Sequence, residues 1–387
     1  MKPRILTSAL LAFLALAHQA LCAPARPVIC AYVFTREQPL APGQVDPHKL
    51  TRINYAFANI ENGRIVDGAP ATGGNLAALT ALRHENPNLT VLISVGGWLW
   101  SGGFSEMALT PTSRATFIDS VAAFLTKYDL DGLDVDWEYP AMAGATNNFR
   151  PEDKQNYTAL LKGLRARFDS LEKQNQWKKT HRHLYLTIAA GANSDFLEHT
   201  EMAEVQKYVD TVNLMAYDYY EAGDQSGVTG NHAPLYTDPA DPKGISADRS
   251  VREYEQAGVP AEKIVLGVPF YGHVWGQVLA INNGLFQPGK PAPGISAHYP
   301  DITQMLSQGY IRYWDKAASV PWLYSAPKQI FVSYEDPQSL AIKCHYVLDH
   351  NLAGVMFWEY FADPSGALLD AVNSTLLPRA SSKAGKP

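Results

Sequence analysis

The 387-residue chain has only three cysteines, no excess of basic residues and no apolar run long enough to cross a membrane. Three cysteines cannot supply a disulfide framework, and their spacing carries no zinc signature. With 32 basic and 38 acidic residues the net charge is −6, which argues against a nucleic-acid partner because phosphate binding requires a positive surface. Internal repeats and low-complexity tracts are also missing. What is present is 46% hydrophobic residues, enough for a large core.

The N-terminus has the pattern of a secretory signal. Lys2 and Arg4 precede an apolar stretch over residues 6–17, and small residues follow at 20–23. This predicts a signal peptide over residues 1–22, cleavage before Ala23, and a secreted or periplasmic protein without stable membrane insertion. A retained N-terminal anchor is the alternative. Cys30 and Cys344 then remain, both in apolar segments, and are predicted to be buried free thiols.

Short apolar runs alternate with helical patterns along the chain. The predicted strands cover residues 28–34, 52–60, 89–97, 130–138, 183–191, 208–218, 263–272 and 353–360. Helical patterns cover residues 76–84, 111–127, 151–173, 200–207 and 248–257. Nearly continuous apolar runs are typical of parallel strands buried on both faces. The order predicts an α/β fold of the (β/α)8 TIM-barrel type. An open doubly wound sheet is the alternative, but no glycine-rich phosphate loop follows the first strand.

One interval breaks this alternation. About 80 residues separate the seventh and eighth strands, far more than a loop and a helix need. Residues 274–331 mix glycine, proline and aromatic residues and are predicted to form a small α+β insertion. The predicted layout is therefore a barrel over residues 23–378, interrupted by this insertion, with a disordered tail at 379–387.

The fourth strand carries a row of acids in the segment Asp131-Gly-Leu-Asp-Val-Asp-Trp-Glu138. Side chains alternate along a strand, so Asp134, Asp136 and Glu138 share one face. If that face points into the barrel, the carboxyl groups cannot all ionise, and at least one should hold a proton near neutral pH. A Glu prepared in this way is a general acid, and Glu138 lies at the C-terminal face where such barrels place their chemistry. A solvent-facing strand or a Mg²⁺ or Ca²⁺ site could show the same pattern.

Other strands end in polar and aromatic residues at the same face. The third ends in Ser94-Val-Gly-Gly-Trp98, the sixth in Met215-Ala-Tyr-Asp218, and the eighth in Met356-Phe-Trp-Glu359. Taken singly, Trp98, Tyr217 or Trp358 could be core residues, and the glycine pair could be a packing device. Their convergence on one rim favours a functional site.

These motifs resemble the family-18 glycoside hydrolases, which include the chitinases. Residues 131–138 match the family's DGxDxDxE signature, 94–97 its SxGG element, 215–218 its MxYD element and 267–272 a common seventh-strand motif. The resemblance covers residues 28–377, and the insertion resembles the α+β domain of many family chitinases. One departure is Ala31, where many relatives carry Tyr; Tyr32 is adjacent.

The resemblance implies retaining hydrolysis of β-1,4-linked N-acetylglucosamine polymers, in which the substrate's acetamido group is the nucleophile. Glu138 would be the general acid and base, and Asp136 would hold the acetamido N–H with Asp134 behind it. Tyr217 would donate to the acetamido carbonyl, and Asp218 would bind and distort the sugar. The expected substrate contacts are Trp98, Trp358, Gly97, Tyr139, Met215 and Phe57. No metal or cofactor is required by this chemistry.

The expectation is a secreted, monomeric, endo-type chitinase whose partners are chitin or chito-oligosaccharides. An endo-β-N-acetylglucosaminidase acting on N-glycan cores is one alternative. A chitin-binding lectin is another, although lectins of this family have lost the catalytic Glu. A metal-dependent hydrolase using the acidic row would lose activity with a chelator.

Overall fold

A computed structural model describes residues 26–146, 148–173 and 183–377. The predicted signal peptide and the predicted tail lie outside these residues. The described strands are β1 (Val28–Phe34), β2 (Arg52–Glu61), β3 (Arg64–Asp67), β4 (Thr90–Gly96), β5 (Gly132–Asp136), β6 (Tyr185–Gly191), β7 (Thr211–Met215), β8 (Ile264–Pro269), β9 (His273–Gly276), β10 (Lys290–Pro291), β11 (Ile311–Asp315), β12 (Val320–Ser325), β13 (Ile330–Ser333) and β14 (Gly354–Trp358). The described α-helices are α1 (Thr72–Ala81), α2 (Phe104–Ala108), α3 (Pro111–Tyr128), α4 (Asp153–Lys173), α5 (Ser194–Glu198), α6 (Met202–Val205), α7 (Ala247–Gln256), α8 (Tyr299–Met305), α9 (Pro337–Asp349) and α10 (Ala367–Leu376).

Eight parallel strands close into a barrel. Their order is β1-β14-β8-β7-β6-β5-β4-β2, and β2 pairs back onto β1. A short 3-10 helix (Pro47–Lys49) lies between β1 and β2, and α-helices lie between the other successive barrel strands. The predicted (β/α)8 fold is confirmed. Several strands are shorter than predicted at their C-terminal ends: the fourth ends at Asp136 and the sixth at Met215. The polar residues that follow belong to the loops over the mouth of the barrel.

The main core fills the layer between barrel and helices. The outward residues of β5, Leu133 and Val135, are fully buried there, and Trp137 stacks on Phe104 with ring centroids 5.0 Å apart. Helix α3 illustrates how local sequence signals form the helices that surround the barrel. A capping box between Thr110 and Ser113 satisfies its first amides, Pro111 begins it, and its apolar face includes the buried Phe117 and Val121.

A second sheet stands between β8 and β14. Its five antiparallel strands have the order β10-β9-β13-β12-β11, and α8 lies between β10 and β11 in the chain. Its own apolar cluster contains Trp275, Trp322, Tyr324 and Phe331. This sheet begins where β8 leaves the barrel, so it rises beside the C-terminal mouth. Residues 274–331 as the limits of a separate domain remain a prediction.

Two further predictions concern cysteine and membrane insertion. Cys30 and Cys344 are buried and free, as predicted. Among the helices of the described residues, none combines the length and apolar character needed to cross a membrane.

Candidate active site

The acidic row begins on β5, which is held between β4 and β6. Asp136 pairs with Gly96 across the β4–β5 ladder. The amide of Gly97 donates to the Asp136 carbonyl at 2.7 Å, and a Cβ on Gly96 would lie 2.1 Å from that carbonyl oxygen. Gly96 and Gly97 also have φ of +105° and +87°, which favour glycine. The SxGG element therefore lets the backbone approach the acidic row closely.

Asp134 is fully buried and fully hydrogen-bonded. Its Oδ2 accepts from Tyr32 Oη and Ser94 Oγ, both at 2.8 Å. Its Oδ1 accepts from Thr187 Oγ1 at 2.5 Å and Asn213 Nδ2 at 3.0 Å. Burial raises the pKa of this carboxyl, and three hydroxyl donors oppose the shift. With four donors from four different strands, Asp134 has one fixed position behind the cleft.

Tyr32 is the β1 residue that faces the acidic row. Its hydroxyl reaches Asp134, whereas Ala31 lies in the outer core between strands and helices. This chain has Ala31 where many relatives carry Tyr, and its inward-facing tyrosine is Tyr32, one position later.

Asp136 and Glu138 form a hydrogen-bonded pair of acids. Burial, followed by the charges of Glu138 and Asp134, raises the pKa of Asp136 well above its usual value. Burial also raises the pKa of Glu138 from 4.5 to about 7, against opposing hydrogen bonds from Tyr139 and Asp136. The pair therefore retains a proton near neutral pH. Asp136 Oδ1 is buried and has no hydrogen-bond partner in the described part of the chain.

The environment of Asp218 favours the ionised carboxylate, whereas that of the Asp136–Glu138 pair favours a retained proton. Tyr271 Oη donates to its two carboxylate oxygens at 2.7 and 2.8 Å, and His273 Nε2 lies 2.7 Å from Oδ1. Burial would raise the pKa of Asp218, but the imidazoles of His232 and His273 outweigh it and hold the pKa well below its usual range. Asp218 is thus an anion at the pH where the Asp136–Glu138 pair keeps its proton. Carboxyl groups whose pKa values differ in this way can take different chemical roles.

An open cleft of about 860 Å³ lies over these groups. Trp358 lines the cleft, and the ring centroids of Phe34 and Phe57 each lie 5.6 Å from that of Trp358 in a stacked arrangement. At another part of the cleft Trp98 is 51% exposed and lies beside Tyr139. Exposed aromatic faces of this kind can bind the apolar faces of sugar rings.

The structure brings most of the predicted site residues to this cleft. Its lining includes Glu138, Asp136, Tyr217, Asp218, Trp98, Trp358, Tyr139, Met215 and Phe57. Asp134 lies behind Asp136, and Gly97 packs against Phe57, whose ring a Cβ would approach to 2.6 Å.

Several site residues escaped the sequence analysis. These are Phe34, Trp100 and Tyr271 in the cleft, Thr187 and Asn213 beside Asp134, and His232 and His273 beside Asp218. Alternation along the sixth predicted strand could have found Asn213, because it shares a face with Met215 and Tyr217.

A closed (β/α)8 barrel with paired acids and an aromatic cleft at its C-terminal mouth is the arrangement of a glycoside hydrolase. The sequence profile of the Glycosyl hydrolases family 18 matches residues 29–363. The chain belongs to this family.

Known proteins are similar to this chain over most of its length. Chitinase A1 of Niallia circulans is 36% identical across 86% of this chain and 55% of its own length. Chitinase 1 of Aphanocladium album is 32% identical across 86% of this chain and 80% of its own. Among solved structures, a family 18 N-acetylglucosaminidase from Paenibacillus barengoltzii is 43% identical, with a TM-score of 0.80 over 90% of this chain and 99% of that one. The chain thus spans about half of Chitinase A1 and nearly all of the N-acetylglucosaminidase.

Proposed function

We propose that this enzyme hydrolyses β-1,4-linked N-acetylglucosamine chains with retention, using the substrate's acetamido group as the nucleophile. The observation that carries the proposal is the buried, proton-holding Asp136–Glu138 pair beside the ionised Asp218 in an aromatic cleft. The similarity to chitinases supports the substrate class.

In the first step Glu138 donates its proton to the glycosidic oxygen, and the bond from that oxygen to the anomeric carbon breaks. The acetamido carbonyl oxygen forms a new bond to the anomeric carbon, which gives a cyclic oxazolinium ion. Asp136 accepts a hydrogen bond from the acetamido N–H through its free Oδ1, and Tyr217 donates to the carbonyl oxygen. Burial and the surrounding acids hold the pKa of Tyr217 well above its usual value, so it remains a donor.

In the second step Glu138, now a carboxylate, takes a proton from water while the water oxygen attacks the anomeric carbon. The oxazolinium ring opens and the acetamido group is restored. Two inversions at one carbon leave the product with the β configuration of the substrate.

The state of the carboxyl groups supports a nucleophile supplied by the substrate. Asp134 accepts four hydrogen bonds, Asp136 is paired with Glu138, and Asp218 is bound by Tyr271 and His273. None of these three is a free anion positioned to bond with carbon.

Endo-type cleavage is part of the proposal, supported by the second sheet that rises beside the mouth. Release of single sugars is a second candidate, favoured by the 43% identity to an N-acetylglucosaminidase along 99% of its chain. The size of the first products distinguishes the two modes.

We also propose secretion after removal of residues 1–22, on the strength of Lys2, Arg4 and the apolar stretch that follows. The mature chain would be a barrel over 23–378 with the insertion at 274–331 and a tail at 379–387. A monomer suffices for the chemistry, because the named site residues all come from one chain.

The test compares the wild type, Glu138→Gln and Glu85→Gln on chitohexaose, cellohexaose and an N-glycan. Glu85 is a matched control because its side chain is 59% exposed and lies just before β4, at the far end of the barrel. Wild type and Glu85→Gln should cleave chitohexaose only. Glu138→Gln should bind it but turn over about two to four orders of magnitude more slowly.

Other outcomes overturn distinct parts of the proposal. Cleavage of cellohexaose would contradict the role of the acetamido group. Cleavage of the N-glycan alone would indicate a glycan-core enzyme. Binding of chitohexaose without cleavage by the wild type would indicate a lectin.

A further inference from the structure

Three side chains with metal-ligating atoms converge on the wall of the cleft. Asp218 follows β7, His232 lies in the loop after it, and His273 begins β9. Their ligand atoms all lie within 4.8 Å of one another. The resemblance to family 18 gives Asp218 a role in binding the sugar, whereas the proposed hydrolytic mechanism uses neither histidine. These three residues are called the Asp218–His232–His273 cluster below.

His232 is the observation that points to a missing ligand. The residue is fully buried, and within the described residues neither ring nitrogen has a hydrogen-bond partner. Its Nδ1 faces Asp218 Oδ1 at 3.7 Å, beyond hydrogen-bond distance. A buried polar group without a partner destabilises the fold, so an imidazole in this position gains from a ligand at Nδ1.

The spacing suits a zinc ion. Zinc binds His nitrogen and carboxylate oxygen at about 2.0–2.2 Å in tetrahedral geometry, which sets neighbouring ligand atoms about 3.3 Å apart. The two distances from Asp218 Oδ1, 2.7 Å to His273 Nε2 and 3.7 Å to His232 Nδ1, lie on either side of that value. Shifts of well under 1 Å would therefore equalise them. Tyr271 Oη also bonds both carboxylate oxygens and orients the Asp218 side chain, as outer partners of metal ligands do.

We propose that the Asp218–His232–His273 cluster binds one Zn²⁺ ion. Two imidazoles and one carboxylate favour zinc over Mg²⁺ or Ca²⁺, which prefer oxygen ligands alone. Three protein ligands leave a fourth position for water on the cleft side, where the Asp218 side chain is 35% exposed. Because Asp218 is also proposed to bind the reacting sugar, zinc and chito-oligosaccharide compete; this consequence alone depends on the proposed function.

Calorimetric titration of chelator-treated protein with ZnCl₂ tests the site directly. Wild type should bind one ion, and His232→Gln and His273→Gln should each lose at least about tenfold in affinity, since even outer-partner losses cost 10–100-fold. His183→Gln is the matched control: His183 also contacts two carboxylates, Glu172 at 3.1 Å and Asp210 at 2.8 Å, at the opposite end of the barrel. Its zinc affinity should equal that of the wild type.

Absence of saturable binding by the wild type, or unchanged affinity in His273→Gln, would overturn the site. His273 is partly exposed, so this variant decides the question even if the buried His232→Gln fails to fold. These titrations need no hydrolysis, so their failure would leave the proposed function standing.

Competition is measured with Glu138→Gln and chitotetraose. Zinc at ten times its dissociation constant should raise the apparent Kd of the sugar about elevenfold. An unchanged Kd, with zinc bound, would overturn the competition while keeping the site.

Discussion

Replacing Glu138 by Gln should make the protein more stable at alkaline pH while removing its activity. Burial raises the pKa of Glu138 from 4.5 to about 7 in the folded protein. The folded state therefore holds this proton more tightly than the unfolded chain does. Stability from the protonated carboxyl is complete below about pH 4.5 and is lost as the pH rises through 7. Gln has a similar shape and does not titrate.

The expected change in the free energy of unfolding follows from the pKa shift of Glu138. Each pKa unit corresponds to 1.36 kcal/mol, so a shift from 4.5 to about 7 gives about 3 kcal/mol in all. About 2.5 kcal/mol of this falls between pH 5 and pH 8. With an unfolding entropy of about 2.1 cal/mol/K per residue over about 350 residues, this amounts to about 3 °C in melting temperature.

The assay is calorimetric melting of wild type, Glu138→Gln and Glu85→Gln at pH 5 and pH 8. The advantage of Glu138→Gln over wild type should grow by about 3 °C between the two pH values. Glu85→Gln should show no such change, because its carboxylate is exposed. A difference that is independent of pH, or that favours the wild type at pH 8, would refute the assignment of a retained proton to this site.

Three further predictions follow from the same structure. The kcat/KM for a fluorogenic chitobioside should fall about tenfold per pH unit above about pH 7, since Glu138 must be protonated; a fall that begins below pH 5.5 would be inconsistent with this. Tyr217→Phe should lower kcat about 100- to 1000-fold with little change in oligosaccharide Kd. Tyr208 is not part of the cleft lining, so Tyr208→Phe should have the kcat of the wild type. Equal losses of kcat in both variants would exclude a specific role for Tyr217. Lys343→Met should lower the free energy of unfolding by about 3–5 kcal/mol, because it leaves its buried partner Glu335 unpaired. In denaturant titrations the double variant with Glu335→Gln should recover much of that loss, and no recovery would argue against the ion pair as the cause.

The barrel and the acidic row were predictable because both are local patterns. Apolar runs of strand length identify the eight strands one by one, and alternation along residues 130–138 places Asp134, Asp136 and Glu138 on one face. The pattern also predicts the outward side of the same strand, where Leu133 and Val135 are buried against the helices.

Apart from Asn213, which alternation along its own strand suggests, the partners of these acids were not predictable, because they come from distant parts of the chain. Asp134 is bonded by Tyr32, Ser94, Thr187 and Asn213, which lie on four strands and meet only through the register of the closed barrel. No single segment shows that register. The sequence likewise places Asp218 at the rim but not beside His273, which arrives there on the second sheet.

The central claim is retention with Glu138 as acid and base, and the anomeric form of the first product tests it most directly. Chitohexaose is digested by the wild type in an NMR tube, and proton spectra are recorded before mutarotation equilibrates the new reducing ends. Initial formation of the β-anomer, with Glu138→Gln nearly silent under the same conditions, is the predicted result. Initial formation of the α-anomer, or undiminished cleavage by Glu138→Gln, would contradict the mechanism.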